Sequence, residues 1–444
     1  MVGLIQGLWV LLILVLLVWR FKIGLALYMA YIFLVPFMNI HIAGVSFQWN
    51  LVNMFVLLMA IWKFKYKKRN FKIDVAPLIP FLLYFGVSLV IMPFQDDTPT
   101  NIQFNTWRTS IMKCIILPFA LWNYMRLDKS SIVFFRNVAL MCIIIAVLYG
   151  LFLTTMPGFN PYILLVSDAN GSEFNEEYAL ALGEGRLWGR ISSVFSHPMT
   201  FGLFLGLAMV YTFFNRNNMN KYVFTALFLV IVIDTIVCGV RSVLGGIAVA
   251  IVLFFLQVRN FKVMLAFTVL TIIGYFVLSN IPDLSSYIGS IADIHNNNQA
   301  VTGSSVEMRL AQLEGCFNEI NNCYLQGKGF GWTGYYVSLR GDHPIILSFE
   351  SLIYVVLCNS GFIGVGLWGV MILKIMRFNM GFQRETSALL NSLLVFYIAY
   401  SCITGEYGYM QFFIIFYVLM LGEKLLYEPQ SVKYKPIREP FSKR

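Results

Sequence analysis

Apolar residues in this chain come in long, nearly unbroken runs, and the polar residues are gathered into short stretches between them. A helix that is apolar around its whole circumference is buried in a large protein or in lipid, and crossing the hydrocarbon takes roughly 20 such residues. The runs predict spans at 3–19, 23–40, 49–62, 75–94, 109–125, 131–156, 198–214, 221–238, 242–257, 263–279, 361–376, 386–403 and 409–426. The fold class expected is an all-α polytopic integral membrane protein of about 12–13 transmembrane helices. The linker Arg20-Phe-Lys22 is so short that the count of spans at the N-terminus stays open.

Two intervals break this rhythm, about 157–197 and 280–348. Loops this long are functional or disordered. Their aromatics (Trp188, Phe195, Phe330, Trp332, Tyr335, Tyr336) favour ordered surface, with His295-Asn-Asn-Asn-Gln299 as the segment expected to move. The chain then divides into N-terminal spans 1–156, a first large loop 157–197 and central spans 198–279. A second large loop with amphipathic and re-entrant helices follows at 280–360, then C-terminal spans 361–426 and a basic tail 427–444.

Charge orients these spans. Arg20 and Lys22, the run Lys63 to Arg69, Arg126 and Lys129, Arg216 and Lys221, Arg259 and Lys262, Lys374 and Arg377, and the tail Lys433 to Arg444 fall on one face. The positive-inside rule makes that face cytoplasmic, with the C-terminus there and, for 13 spans, the N-terminus outside. The net charge of +10 is thereby spread over span ends rather than collected in a patch, which argues against nucleic acid as a partner. At 59% hydrophobic and 12% charged residues, a soluble globular protein is excluded. Five cysteines lie in apolar spans, while Cys316 and Cys323 share the second loop and could pair in an oxidising compartment. The N-terminal run has no small-residue cleavage site and reads as a retained span.

Most of the cations that break the rule lie in the two outer loops, among them Arg186, Arg190, Arg309 and Arg340. In the second loop, 306–320 has mostly helical spacing at Met308, Leu310, Leu313, Phe317 and Ile320, predicting an amphipathic helix with Arg309 near its start. The apolar stretch 344–358 is expected to be a surface or re-entrant helix, with Asp342 as N-cap and Pro344 in its first turn. Asn359-Ser360-Gly361 supplies the break before the next span, and His343 would sit at an outward-facing helix start.

Arg190 precedes the span opened by His197-Pro198, and Arg241 lies in Cys238-Gly-Val-Arg241-Ser242 at the outer end of another. Lys328 sits in Gly327-Lys-Gly-Phe-Gly331. Guanidinium groups suit phosphate oxygens bidentately, and a histidine can take a hydroxyl proton near neutral pH. Each residue also has a structural reading. Arg190 can anchor its span by snorkelling. Arg241 can join an ion network with Asp234, two helical turns earlier, and Arg309 can pair with Glu307, Glu314 or Glu319. His197 can be a cap or packing residue. The glycine-rich run has no preceding strand and no Ser or Thr after the Lys, so it reads as a tight turn rather than a phosphate loop. No metal-ligand spacing stands out, and no cofactor is expected.

Taken in order, Arg190 to His197-Pro198, Gly239-Val-Arg241-Ser242 with Gly245-Gly246, Arg309 heading a loop helix, Leu325-Gln-Gly-Lys-Gly-Phe-Gly331, His343, and Gly361-Phe-Ile-Gly364 resemble the O-antigen ligase and polymerase family of bacterial polysaccharide assembly, over roughly residues 185–376. The family has an Asn where this chain has Pro344, and commonly a Ser where it has Val240. The resemblance implies a GT-C-like, many-helix fold in the bacterial inner membrane, with its site facing the periplasm. It implies metal-independent glycosyl transfer from undecaprenyl-diphosphate-linked oligosaccharide, in a setting of membrane lipids and with a chain-length regulator protein as a partner. On that basis His343 would be the base, and Arg190 and Arg309 would bind the diphosphate, with Arg241, Lys328 and Arg186 in the same anionic pocket. A repeat-unit polymerase, a ligase acting on lipid A-core or protein, and a lipid-linked glycan transporter all remain open, with the polymerase preferred.

Overall fold

The structure, a computed structural model, describes residues 2–35, 39–42, 45–67, 71–156, 158–170, 190–259, 306–349, 351–404 and 409–427, with a few isolated positions between 262 and 280. Nearly all of it is helix. Val2–Trp19 (α1) and Phe21–Leu34 (α2) meet at Arg20, and a small antiparallel hairpin, Asn39–Ile42 (β1) with Val45–Gln48 (β2), follows. Then come Trp49–Lys67 (α3), Ile79–Ile91 (α4), Thr100–Leu127 (α5), Ser130–Leu153 (α6), Pro161–Asn170 (α7), Pro198–Phe214 (α8), Lys221–Val237 (α9) and Arg241–Val258 (α10). The second loop contributes Val306–Glu319 (α11) and Trp332–Arg340 (α12), and Leu352–Asn379 (α13), Arg384–Ile403 (α14) and Met410–Tyr427 (α15) complete the chain.

Six stretches among the described residues are long and apolar enough to cross a membrane: Val2–Trp19, Ala76–Phe94, Ser130–Leu153, Arg241–Val258, Leu352–Asn379 and Arg384–Ile403. This is the composition of a multi-pass helical membrane protein. Helices stand at each expected span except 263–279, most of which lies outside the described residues, as do Arg186 and the segment His295 to Gln299. Two bounds differ. The span expected over 23–40 ends at Leu34, because Val35 precedes Pro36 and a residue before proline is driven out of the helical region; the hairpin then pairs His41 with Ser46. The helix expected from 109 starts at Thr100, so a polar turn carrying Gln103 and Thr106 extends past the apolar run.

Burial separates inner from outer helices. In α15 every residue from Met410 to Leu421 is buried, as expected of a helix apolar all round and enclosed by others. In α1 only Gln6, Val10, Ile13 and Leu17 are buried, while Leu4, Leu8, Trp9 and Leu11 are open, an apolar face fit for lipid. Small residues set the close crossings. The ring of Phe396 on α14 occupies the notch left by Gly206 on α8 and Gly246 on α10, where an added Cβ would run into it.

The ends of α8 define the two ends of the bundle, about 25 Å apart at 1.5 Å per residue. At the Asn215 end, cations meet acids: Arg216 with Glu385, Arg136 with Glu423 at 3.2 Å, and Arg126 with Asp74 at 3.6 Å. The His197 end gathers the starts of α5, α8, α10 and α13, the end of α14, and the loop helices α11 and α12. Ser351 Oγ donates to Cys402 O at 2.6 Å, the Tyr400 hydroxyl donates to Met199 O, and Phe330 N donates to Gln103 Oε1 at 3.2 Å.

Candidate functional site

The site is built on a broken helix. Gly361 in α13 has φ 59° and ψ −156°, a conformation open to glycine, and the expected break at 359–361 is there. Breaking a helix orphans amides and carbonyls, and here the loop after α11 satisfies them. Cys358 O and Asn359 O accept from Lys328 N (2.8 Å) and Gly329 N (3.1 Å), while Phe362 N and Ile363 N donate to Tyr324 O (2.8 Å) and Leu325 O (3.1 Å). The crossing is so close that a Cβ on Gly327 would lie 2.5 Å from Gly361 N. From the other side, Thr98 Oγ1 donates to Lys328 O at 2.9 Å, and Gln95 Nε2 donates to Gln326 O and Asn359 O. The glycine-rich run is thus a tight turn, with positive φ at Gly327, Gly329 and Gly331, clamped between α5 and the helix break.

Before the break, Leu352 to Ser360 is buried on almost every side; beyond it, burial narrows to a stripe at Gly364, Trp368, Met371 and Ile375. The first half therefore lies within the protein. It does not begin at 344, as the apolar stretch suggested. Residues 343–349 form a turn, and α13 starts at Leu352 with Ser351 at its cap position. The reason is local. His343 Nδ1 accepts from Ile345 N (3.1 Å) and Ile346 N (3.0 Å), amides that a helix entered at Pro344 would have presented as its first turn. Leu347 and Phe349 both take left-handed φ of 56°, which costs about 1–2 kcal/mol each for a residue with a side chain. His343 is therefore buried in a strained turn, not exposed at a helix start, and Asp342 is not an N-cap.

This turn lays His343 against the last residue of α11. Its Nε2 lies 3.1 Å from Glu319 Oε1, and Lys328 Nζ donates to Glu319 Oε2 at 2.7 Å. Because two amides point at Nδ1, that nitrogen carries the lone pair and Nε2 carries the proton given to Glu319. Burial alone would raise the Glu319 carboxyl, but hydrogen bonds from Lys328 and His343 outweigh it and hold the group below the usual carboxylate range. Tyr336 and Phe349 wall the imidazole, with ring centroids 5.2 and 5.9 Å away, and the Lys328 ammonium sits 4.6 Å from the centre of the Trp332 ring. The Arg340 guanidinium covers Tyr336 at 5.5 Å.

A second group surrounds the start of α8. His197 is its N-cap, with Nδ1 accepting from Met199 N at 3.1 Å, the structural role open to it from the sequence. Burial, with the Arg190 charge beside it, pushes its imidazole down to about 4. Arg190 acts electrostatically on Tyr400 as well, and Arg241 opens α10 with Val240 at the cap position. The segment entering this corner is pinned by Asn160 Nδ2 donating to Ser193 O at 2.7 Å. At the start of α13, Ser351 Oγ donates to Cys402 O on α14, two residues after Tyr400, and the Tyr354 hydroxyl donates to Arg309 O at 2.8 Å.

Arg309 heads α11 as expected, with Nη1 donating to Gln312 Oε1 at 3.1 Å, while Glu319, one of its expected partners, is held by Lys328 and His343. The buried face of α11 is rotated from the expected one: Gln312, Gly315, Cys316 and Ile320 face inward and Leu310 is open, because Gly315 lets the helix approach Ile345 and Ile346. Cys316 is hydrogen-bonded with Cys358 instead of being paired with Cys323, and all three thiols are free. The Asp234 carboxyl is buried against Gly150 and makes no hydrogen bond among the described residues, so the ion network expected to join it to Arg241 is not formed through it.

Glu319 stands out in the sequence only as a partner for Arg309, and its place between Lys328 and His343 is not legible there. Arg108, which the sequence does not single out, has a buried Nε with no hydrogen-bond partner among the described residues. Glycines at 327, 329, 331 and 361 were the available signal that two backbones cross. No protein-family model matches the chain, and no curated protein matches it.

Proposed function

We propose that this protein joins undecaprenyl-diphosphate-linked oligosaccharide repeat units into O-antigen or capsular polysaccharide, by metal-independent glycosyl transfer at the periplasmic face of the bacterial inner membrane. In this reading the bundle has 12–13 spans in a GT-C-like arrangement and a chain-length regulator as a partner. The observation that carries it is the gathering of cations at the His197 end. There Arg190 stands beside His197, Arg241 opens α10, Arg309 heads α11, and Lys328 binds Glu319 next to the buried His343 and its aromatic wall. Several cations at one end suit a polyanionic ligand, and aromatic faces with a carboxylate suit a sugar.

Arg190 and Arg309 bind the donor diphosphate, Arg241 adds to the same field, and Arg186 belongs to the same outer loop as Arg190. The Glu319–His343 pair removes the acceptor hydroxyl proton. That oxygen forms its bond to the anomeric carbon as the carbon–oxygen bond to the diphosphate breaks, and the electron pair leaves with the lipid diphosphate. Arginines poised for the developing charge stabilise the transition state electrostatically, which is often the main source of rate in such a reaction.

The test is the glycan made by cells lacking the gene and complemented with wild type or with Arg190→Ala or Arg309→Ala, with membrane levels matched. A polymerase gives single repeat units in the null strain and a ladder on complementation, with the variants unextended. Long lipid-linked chains left unattached in the null strain would mean a ligase. Repeat units trapped at the cytoplasmic face would mean a transporter.

A further inference from the structure

Resting on that reading, we propose that Glu319 is the general base that takes the proton of the acceptor sugar hydroxyl, and that His343 and Lys328 are positioning residues for it. The imidazole is the obvious base by residue type, but its geometry is wrong for the task. A base needs a free lone pair within hydrogen-bond reach of the hydroxyl. The only lone pair on His343 lies at Nδ1, where Ile345 N and Ile346 N occupy it at 3.1 and 3.0 Å, and Nε2 donates to Glu319. The imidazole side chain is 5% exposed, against 27% for Glu319. The carboxylate has further lone pairs and an open side.

The setting of Glu319 supports the assignment. It is the last residue of α11, where the helix dipole opposes a negative charge, so the fold holds a carboxylate where helical stability alone would favour a cation. Lys328 and His343 offset that by each binding one oxygen, which fixes the carboxyl plane and keeps the group ionised. The Trp332 and Tyr336 rings stand around the two partners as a surface for a pyranose. In the step itself, the hydroxyl proton passes to a Glu319 oxygen while the hydroxyl oxygen bonds to the anomeric carbon, and the departing diphosphate takes the electron pair. Direct displacement with a carboxylate base inverts that centre.

Kinetic and NMR measurements on the protein in nanodiscs test this, with lipid-linked repeat units extracted from the null strain as substrate. For Glu319→Gln, which keeps an oxygen for His343 to bond, kcat is expected to fall about a thousand-fold with KM changed only a few-fold. For His343→Gln, whose amide can still donate to Glu319, the loss should be about ten-fold. The wild-type rate should stay level as the pH falls from 8 through 6.5. The ionisable groups around Glu319 are Lys328, His343 and Cys323, with Asp97 acting on Cys323 and the Cys316–Cys358 pair close by. A fall in rate over that range that vanishes in His343→Gln would make the histidine the base and overturn the proposal. So would Glu319→Gln within ten-fold of wild type. Independently of turnover, nitrogen NMR of histidine-labelled protein should report His343 as the Nε2–H tautomer, and an Nδ1–H signal would overturn the geometry. A wild-type protein that forms no glycosidic bond removes the function itself, and Glu319's role with it.

Discussion

The turn at His343 and the cap at His197 use the same imidazole atom for the same purpose and differ in what faces the other side. In both, Nδ1 accepts backbone amides and fixes the chain at the entry to a helix: Met199 N at α8, Ile345 N and Ile346 N ahead of α13. At His197 the charged neighbour is Arg190, which reinforces burial in keeping the ring neutral. At His343 the neighbour is Glu319, already held by Lys328. One histidine serves backbone structure beside a cation; the other joins backbone structure to an ionised side chain. Residue type alone does not separate these cases, and the neighbour does.

The comparison breaks most completely if the loop that positions the Glu319 side is lost. Gly327→Ala places a Cβ against the Gly361 backbone at a positive φ, and should cost on the order of 3 kcal/mol or more. Thermal unfolding in detergent should show it as a large drop in midpoint; an unchanged midpoint would mean the crossing is looser than described. His343→Ala comes next, at about 2 kcal/mol, because it leaves Glu319 and the turn amides short of partners. His197→Ala removes a cap alone and should cost about 1 kcal/mol. Equal losses at the two positions would erase the distinction between them.

The smallest effect sharpens the contrast through pH. His197 is held down to about 4 in the folded protein, so between its unfolded value near 6.5 and about 4 the unfolded chain binds the extra proton. Its contribution to stability is therefore lost as pH falls through that window. His197→Asn, which caps as well, should flatten the stability curve there. Glu319 is also shifted down, but by hydrogen-bond partners that favour its charged form rather than by burial. Its contribution is present above the unfolded carboxylate value and is lost as pH falls from there through its lowered folded value, so Glu319→Gln should alter the curve at the acid end of the His197 window and below it.

The spans were readable because lipid demands one composition along a whole helix. Arg309 at the head of α11 and the break at Gly361 were readable for similarly local reasons, periodicity in one case and glycine in the other. The start of α13 was not, because the amides that would have opened a helix at Pro344 are taken by the side chain of His343, a competition that hydropathy does not register. The meeting of Glu319, Lys328 and His343 was also hidden. It depends on Gly327 and Gly361 passing at van der Waals contact, a tertiary event without periodicity. The rotated face of α11 has the same origin, since Gly315 rather than a large apolar residue marks the contact.

The central claim is that the cations at the His197 end hold a lipid diphosphate. The most direct measurement is binding of a polyprenyl diphosphate, compared with its monophosphate and alcohol, to the purified protein in nanodiscs. The account predicts preference for the diphosphate, weakened at least about ten-fold by Arg190→Ala and by Arg309→Ala, which corresponds to about 1.4 kcal/mol each, and unchanged by Arg216→Ala at the opposite end. Equal binding of all three lipids, or of all three variants, would contradict it.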